Sequence, residues 1–132
     1  ALVAPMFFLL LFGIIEAGRF IFYYETLNNA TREGARYAIV NGANTIGCPT
    51  GPAAPGSRSC DPAGDDVRER VRDAAFGVLS PITVDPVWHD PADNGRGSTV
   101  TVSATFTYLS LVPIVPLPPI TITAESSLVV NN

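Results

Sequence analysis

The chain contains no lysine: all eight basic residues are arginine, and charged residues of either sign fill only 15% of its 132 positions. No basic cluster exists, which argues against a nucleic-acid partner. Histidine occurs once, at His89, and cysteine twice, at Cys48 and Cys60. A zinc site needs about four ligands, so these three residues do not suffice for one. Catalytic signatures are missing as well: there is no G-x-S-x-G, no phosphate loop and no second histidine to pair with His89. Asp90, Asp93 and Asn94 before Gly95 loosely resemble a calcium loop, but no glutamate follows at the required offset, and a plain turn is the simpler reading. Asn29-Ala30-Thr31 matches a glycosylation sequon but falls on an expected helix. Composition therefore points away from an enzyme and implies no cofactor and no metal.

What is present is apolar surface. Hydrophobic residues make up 47% of the chain. Residues 1 to 15, "ALVAPMFFLLLFGII", carry no charge, and the apolar character resumes after Glu16 and Arg19. A membrane-spanning helix needs about 20 such residues. A cleaved signal peptide fits less well, because the helical pattern runs on past the apolar stretch. Pro5 suits a first helical turn. From Phe20 the pattern becomes amphipathic, with Phe20, Tyr24, Leu27, Ala35, Ala38 and Ile39 on one face. Glu25, Asn28, Asn29, Arg32, Glu33 and Arg36 lie on another. Asn41-Gly42 is expected to stop the helix through a left-handed residue. A helix from Pro5 to Val40 would be about 54 Å long. The remaining ninety or so residues make a head only about 25–30 Å across, so the first half of the helix must project from it.

The two cysteines bracket a loop rich in Gly, Pro and Ser, which cannot pack itself. A Cys48–Cys60 disulfide there implies an oxidising compartment, the alternative being two thiols. "GDDVRERVRDAAFGVLSP" follows, with Asp66 and Glu69 spaced as a capping box. Val67, Val71, Ala74, Ala75 and Val78 recur at helical spacing, predicting three to four turns stopped at Ser80-Pro81. "ITVDPVW" reads as an edge strand because of Pro86. "STVTVSATFTYLS" alternates through Val100, Val102, Ala104, Phe106 and Tyr108, and "ITITAESSLVV" through Ile120, Ile122, Ala124, Leu128 and Val130. Two such strands predict an antiparallel sheet with one buried face. Between them, "LVPIVPLPP" is an apolar connection whose prolines exclude a regular strand. Its Val112, Ile114, Val115 and Leu117 are expected to contact a neighbouring subunit.

The opening "ALVAPMFFLLLFGIIEAGRFIFYYETLNNATREGARYAIVNG" resembles the TadE-like proteins, pilin-like subunits of tight-adherence pili. The shared pattern is A-L-V-x-P at Ala1 to Pro5, F-G-I-I-E-x-G-R at Phe12 to Arg19, and N-A-x-R-x-G-A-R-Y-A at Asn29 to Ala38. It covers about a third of the chain. The resemblance implies a prepilin-like precursor cut by a prepilin-type peptidase. It also implies storage in the inner membrane and handling by a secretion and assembly machinery.

The expected fold class is α+β, with an assembly helix over residues 1–40 and an extracellular head over 41–132. The expected function is a structural pilin in an extracellular type IV pilus-like filament, a helical homo-polymer on the cell surface. The alternatives are a membrane-anchored minor pilin or assembly factor that forms no filament by itself, and an anchored extracytoplasmic enzyme or binding module. Assembly is expected to run through Pro5, Phe7, Phe8, Leu11, Phe12, Ile15, Glu16, Arg19 and Phe20, joined by Val112, Ile114 and Leu117. Glu16 and Arg19 are three apart and can pair on one side of the helix. The pair sets the axial register of packed helices in one reading, and marks the membrane–water boundary in the other.

Overall fold

The computed structural model describes residues 1–76, 78, 81–90, 93–111 and 118–131. One helix dominates: α1 runs Val3–Val40, 38 residues, or about 57 Å. Its sole proline stands in the first turn, where a missing N–H costs nothing. A second helix, α2, covers Asp65–Ala74. Strands β1 (Thr83–Trp88), β2 (Thr99–Tyr108) and β3 (Ile120–Val129) form an antiparallel sheet in the order β1-β2-β3. The class is α+β, as the sequence pattern implied.

β2 is central and alternates cleanly: Val100, Val102, Ala104, Phe106 and Tyr108 are all buried. Pro86 lies on edge strand β1 opposite Val102, a position where it interrupts no interior ladder. On β3 only Ile122 and Ala124 of the expected inward set are buried within the strand, with Val130 just beyond it. Ile120 and Leu128 lie near the ends of this edge strand and keep more than a third of their surface exposed. The outward face is hydroxyl-rich, with cross-strand contacts Thr101–Ser127 at 3.0 Å and Thr105–Thr123 at 3.3 Å.

The second half of α1 lies across β2 and β3, and α2 packs beside it and against β1. The buried face of α1 is Tyr23, Leu27, Ala30, Thr31, Gly34, Ala35 and Ala38. It is mostly small, which lets the helix axis approach both partners closely. A Cβ at Gly34 would fall inside the Val71 side chain of α2. Tyr24, assigned to this face by periodicity, is exposed; its neighbour Tyr23 points inward instead. Successive residues are about 100° apart around a helix, so an error of one position turns a side chain from core to solvent.

Two local expectations are corrected. Asn41 has φ −103° and ψ 41°, not a left-handed conformation, and no positive φ occurs at Gly42. The stop is made instead by Asn41, whose backbone N–H and side-chain Nδ2 both donate to the Tyr37 carbonyl, at 3.1 and 3.0 Å. The capping box does not form either, because Asp66 already lies inside α2, whose N-cap is Gly64 at φ 74° with no side-chain cap. The orphan N–H groups of Asp65 and Asp66 donate to the Asp61 carboxylate, at 2.7 and 3.0 Å. A carboxylate there also complements the helix dipole. α2 ends at Ala74, earlier than the expected Ser80-Pro81 stop, and Ser80 lies outside the described residues.

Cys48 and Cys60 form a disulfide with Cα atoms 5.6 Å apart. The loop it closes is laid onto Trp88. Gly51 at φ 94° and Gly64 at φ 74° both face this indole so closely that any Cβ would meet the ring. Asn94 is buried and donates to the Thr50 carbonyl at 2.6 Å, while Asp93 accepts the Gly95 N–H at 2.8 Å. The Asp93-Asn94-Gly95 segment is thus a turn that braces the disulfide loop.

Candidate assembly surface and the Glu16 centre

The first half of α1 leaves the head altogether. Eleven large apolar side chains between Leu2 and Ile15 are exposed, from 88% at Leu2 to 38% at Phe12. Of the expected contact residues, Pro5, Phe7, Phe8, Leu11, Phe12 and Ile15 all lie on this exposed segment. Phe7, Phe8 and Phe12 form a run of ring contacts along it. Gly13 and Gly18 have open space where a Cβ would stand, so they leave notches in its surface. The helix is long and apolar enough to cross a membrane by length and composition.

Where the apolar run ends, the head begins to cover the helix, and Glu16 is the first residue it reaches. Its Oε2 accepts from Arg19 Nη1 at 3.2 Å. Its Oε1 accepts from the Tyr108 hydroxyl at 2.5 Å and from the Leu111 backbone N–H at 3.2 Å. Arg19 also donates to the Tyr23 hydroxyl at 3.4 Å and lies 5.6 and 5.7 Å from the Tyr23 and Tyr108 ring centroids. Phe20 meets Tyr108 edge-to-face at 5.4 Å, and Tyr23 meets Phe106 and Tyr108 at 5.8 Å. The guanidinium beside this carboxylate thus lies over two aromatic rings, interactions worth about 0.5–2 kcal/mol each.

Tyr108 is only 4% exposed. Burial, and after it the bond to Glu16, push its phenol up to about 12. The neutral hydroxyl is therefore the working form, donating to an acceptor-only carboxylate.

The expected pairing of Glu16 with Arg19 is present within one chain. Phe20, expected at an intersubunit contact, packs half-buried against Tyr108 of its own head. Val112, Ile114 and Leu117, and Val115 with them, lie outside the described residues. Sequence reasoning missed Tyr108 and Leu111 as partners of Glu16. One signal was available: a lone acid in an apolar helix needs donors, and Tyr108 ends the inward face of β2 with a hydroxyl to give.

A second link joins the helices higher in the head. Arg70 of α2 meets Glu33 of α1 at 3.0 Å and lies 6.0 Å from the Tyr37 ring centroid. Both charged groups are substantially exposed, so this pair contributes at most about 1 kcal/mol. Among the described residues, no group of three or more His, Cys, Asp or Glu side chains is placed to hold a metal ion.

Residues 1–36 match the model of the TadE-like protein family, consistent with a TadE-like pilin. The matched segment lies almost wholly within α1 and includes Glu16, Arg19 and the close-packing Gly34. The match points to a pilin-like, pilus-associated protein. No curated protein and no solved structure matches the chain.

Proposed function

We propose that this chain is a structural subunit of an extracellular type IV pilus-like filament, held in the membrane before assembly and polymerised through its N-terminal helix. The observation that carries the reading is the projecting, uncharged half of α1, with eleven large apolar side chains that its own head does not cover. Burying them stabilises the product by about 15–30 kcal/mol before entropy costs. Lipid can bury them in one state, and the helices of other copies in another. Bundled helices would form the filament core and the heads its wall, with Gly13 and Gly18 allowing close approach.

A second reading, a membrane-anchored minor pilin or assembly factor, is favoured by the Glu16 centre. Its carboxylate is already supplied with donors from its own chain, Arg19, Tyr108 and the Leu111 N–H among them, so the apolar half of the helix brings no unsatisfied acid that demands a neighbour. Electron microscopy of material purified from cells separates the two. Regular filaments composed of this chain alone support the first; detergent-bound particles, or filaments in which it is a trace component, support the second.

A further inference from the structure

The side of α1 turned away from its own head carries a single line of side chains. At about 100° per residue, Leu11, Ile14, Gly18, Glu25, Arg32 and Arg36 fall within about 40° of one line along the helix. All of them are exposed. The buried Leu27, Gly34 and Ala38 lie on the opposite side. The line is apolar in its lower half and charged in its upper half. Of the acids of α1, Glu16 is held by Arg19 and Tyr108, and Glu33 by Arg70. That leaves Glu25, with Arg32 and Arg36 above it on the same line. Among the described residues none of these three has a salt-bridge partner. We propose that this line is the contact between parallel α1 helices of two copies, with Glu25 of one copy on Arg32 of the next at an axial offset of seven residues. This rests on the filament reading of the proposed function and gives that filament its contact and register.

With heads outside and helices inside, the face of each helix away from its head is the face turned toward other copies. Arg32 and Arg36 are then carried into the bundle, where a guanidinium without an acid costs desolvation. The unengaged carboxylate on the same line is Glu25, so a shifted copy supplies the acid. Two copies at one level would set Glu25 against Glu25 and arginine against arginine, and like charges so placed repel. A shift of seven residues, about 10 Å, sets Glu25 level with Arg32. The same shift sets Leu11 of the first copy level with Gly18 of the second, where a Cβ would have open space. It also sets Glu25 of the second copy beside Gly18 of the first, against no side chain. A shift of eleven residues would match Glu25 to Arg36 but lay the other Glu25 on Ile14, an exposed apolar group. Seven residues are just short of two helical turns, so the line returns to within about 20° and the contact continues along the helix.

The test reads filament yield, by sedimentation and electron microscopy, from cells producing the full chain. E25R and R32E should each lower the yield about tenfold or more, because each sets like charges together at every contact. The exchange E25R/R32E should restore it, and E25R/R36E should not. These side chains are exposed, so each variant should keep the unfolding midpoint of the unaltered chain in detergent, which separates a lost contact from a lost fold. Paired thiols give a second readout: E25C/R32C filaments should oxidise to a ladder of linked chains, and E25C/R36C filaments should not. Positions 25 and 32 of one helix are about 10 Å apart, too far for a disulfide within one chain. Full yield from E25R, no rescue by E25R/R32E, or rescue and linkage through position 36 instead overturns the proposal. Absence of filaments from the unaltered chain overturns the filament reading, and the proposal with it.

Discussion

The Tyr108 phenol donates to the Glu16 carboxylate at 2.5 Å across 92 residues of sequence. This bond ties the end of the central strand to the helix at the point where the helix leaves the head. It also gives the acid of the apolar helix a role inside its own subunit. A double-mutant cycle of Y108F and E16A, read by chemical unfolding in detergent, is expected to return a coupling of about 0.5–3 kcal/mol. Additive effects of the two changes would mean that the bond does not form in solution.

The same bond has a spectroscopic signature. The folded phenol holds its proton up to about 12, above the ordinary 10.0. Its contribution to stability is therefore fully present below pH 10 and is lost as pH rises through about 12. In E16Q the charge that favours the neutral phenol is gone, while burial and an amide oxygen to accept from the phenol remain. The latest tyrosinate transition, followed by ultraviolet absorbance, should shift to lower pH in E16Q without reaching the value of a solvated tyrosine. An unshifted transition would show that the charge plays no part in it.

Gly34 lets α1 touch α2. G34A places a methyl group inside the Val71 side chain, and overpacking of this kind costs about 1–3 kcal/mol. V71A opens a cavity at the same place. The pair G34A/V71A should be more stable than the sum of the two single effects implies, as denaturation midpoints will show. Simple additivity would place the tight contact elsewhere.

The Cys48–Cys60 loop supports the head through two routes: it closes a disordered-looking sequence, and the Asp61 that follows it caps α2. Intact mass with and without reductant should differ by the two hydrogens of one disulfide, and alkylation should require reduction. C48S/C60S is expected to lose about 3 kcal/mol in the chain-entropy account, and D61A a further 0.5–2 kcal/mol, roughly, for the lost cap. Ready alkylation of native protein would contradict the pairing.

What the sequence made legible is what local pattern encodes. The inward face of β2 from Val100 to Tyr108, the edge position of Pro86 and the length of α1 follow from alternation, proline chemistry and an unbroken helical pattern. What it hid depends on partners distant in sequence. Asp61 caps α2 from outside the helix because the disulfide loop brings it there, so the nearer Asp-x-x-Glu spacing misled. Asn41 ends α1 through the Tyr37 carbonyl rather than by a left-handed turn. Tyr23 rather than Tyr24 faces inward because the sheet, not the hydropathy of two identical neighbours, selects between them. The Glu16 centre was half visible: Arg19 lies one turn away, whereas Tyr108 and Leu111 reach it only through the fold.

Removing the projecting helix should separate folding from assembly, and the cut site matters. A chain beginning at Tyr23 keeps Leu27, Ala30, Gly34, Ala35 and Ala38, the part of α1 buried on the sheet, and should be soluble and folded. It loses Glu16, Arg19 and Phe20, which hold Tyr108. A chain beginning at Glu16 retains that clasp while still shedding the eleven exposed apolar residues from Leu2 to Ile15. It should unfold at a higher denaturant concentration than the Tyr23 chain, and its Leu111 amide should exchange more slowly with solvent. Neither should polymerise, because both lack the apolar surface whose burial drives assembly. Filaments from either truncated chain would refute assembly through the helix. Equal stability of the two would show that the clasp at Glu16 contributes nothing to the head.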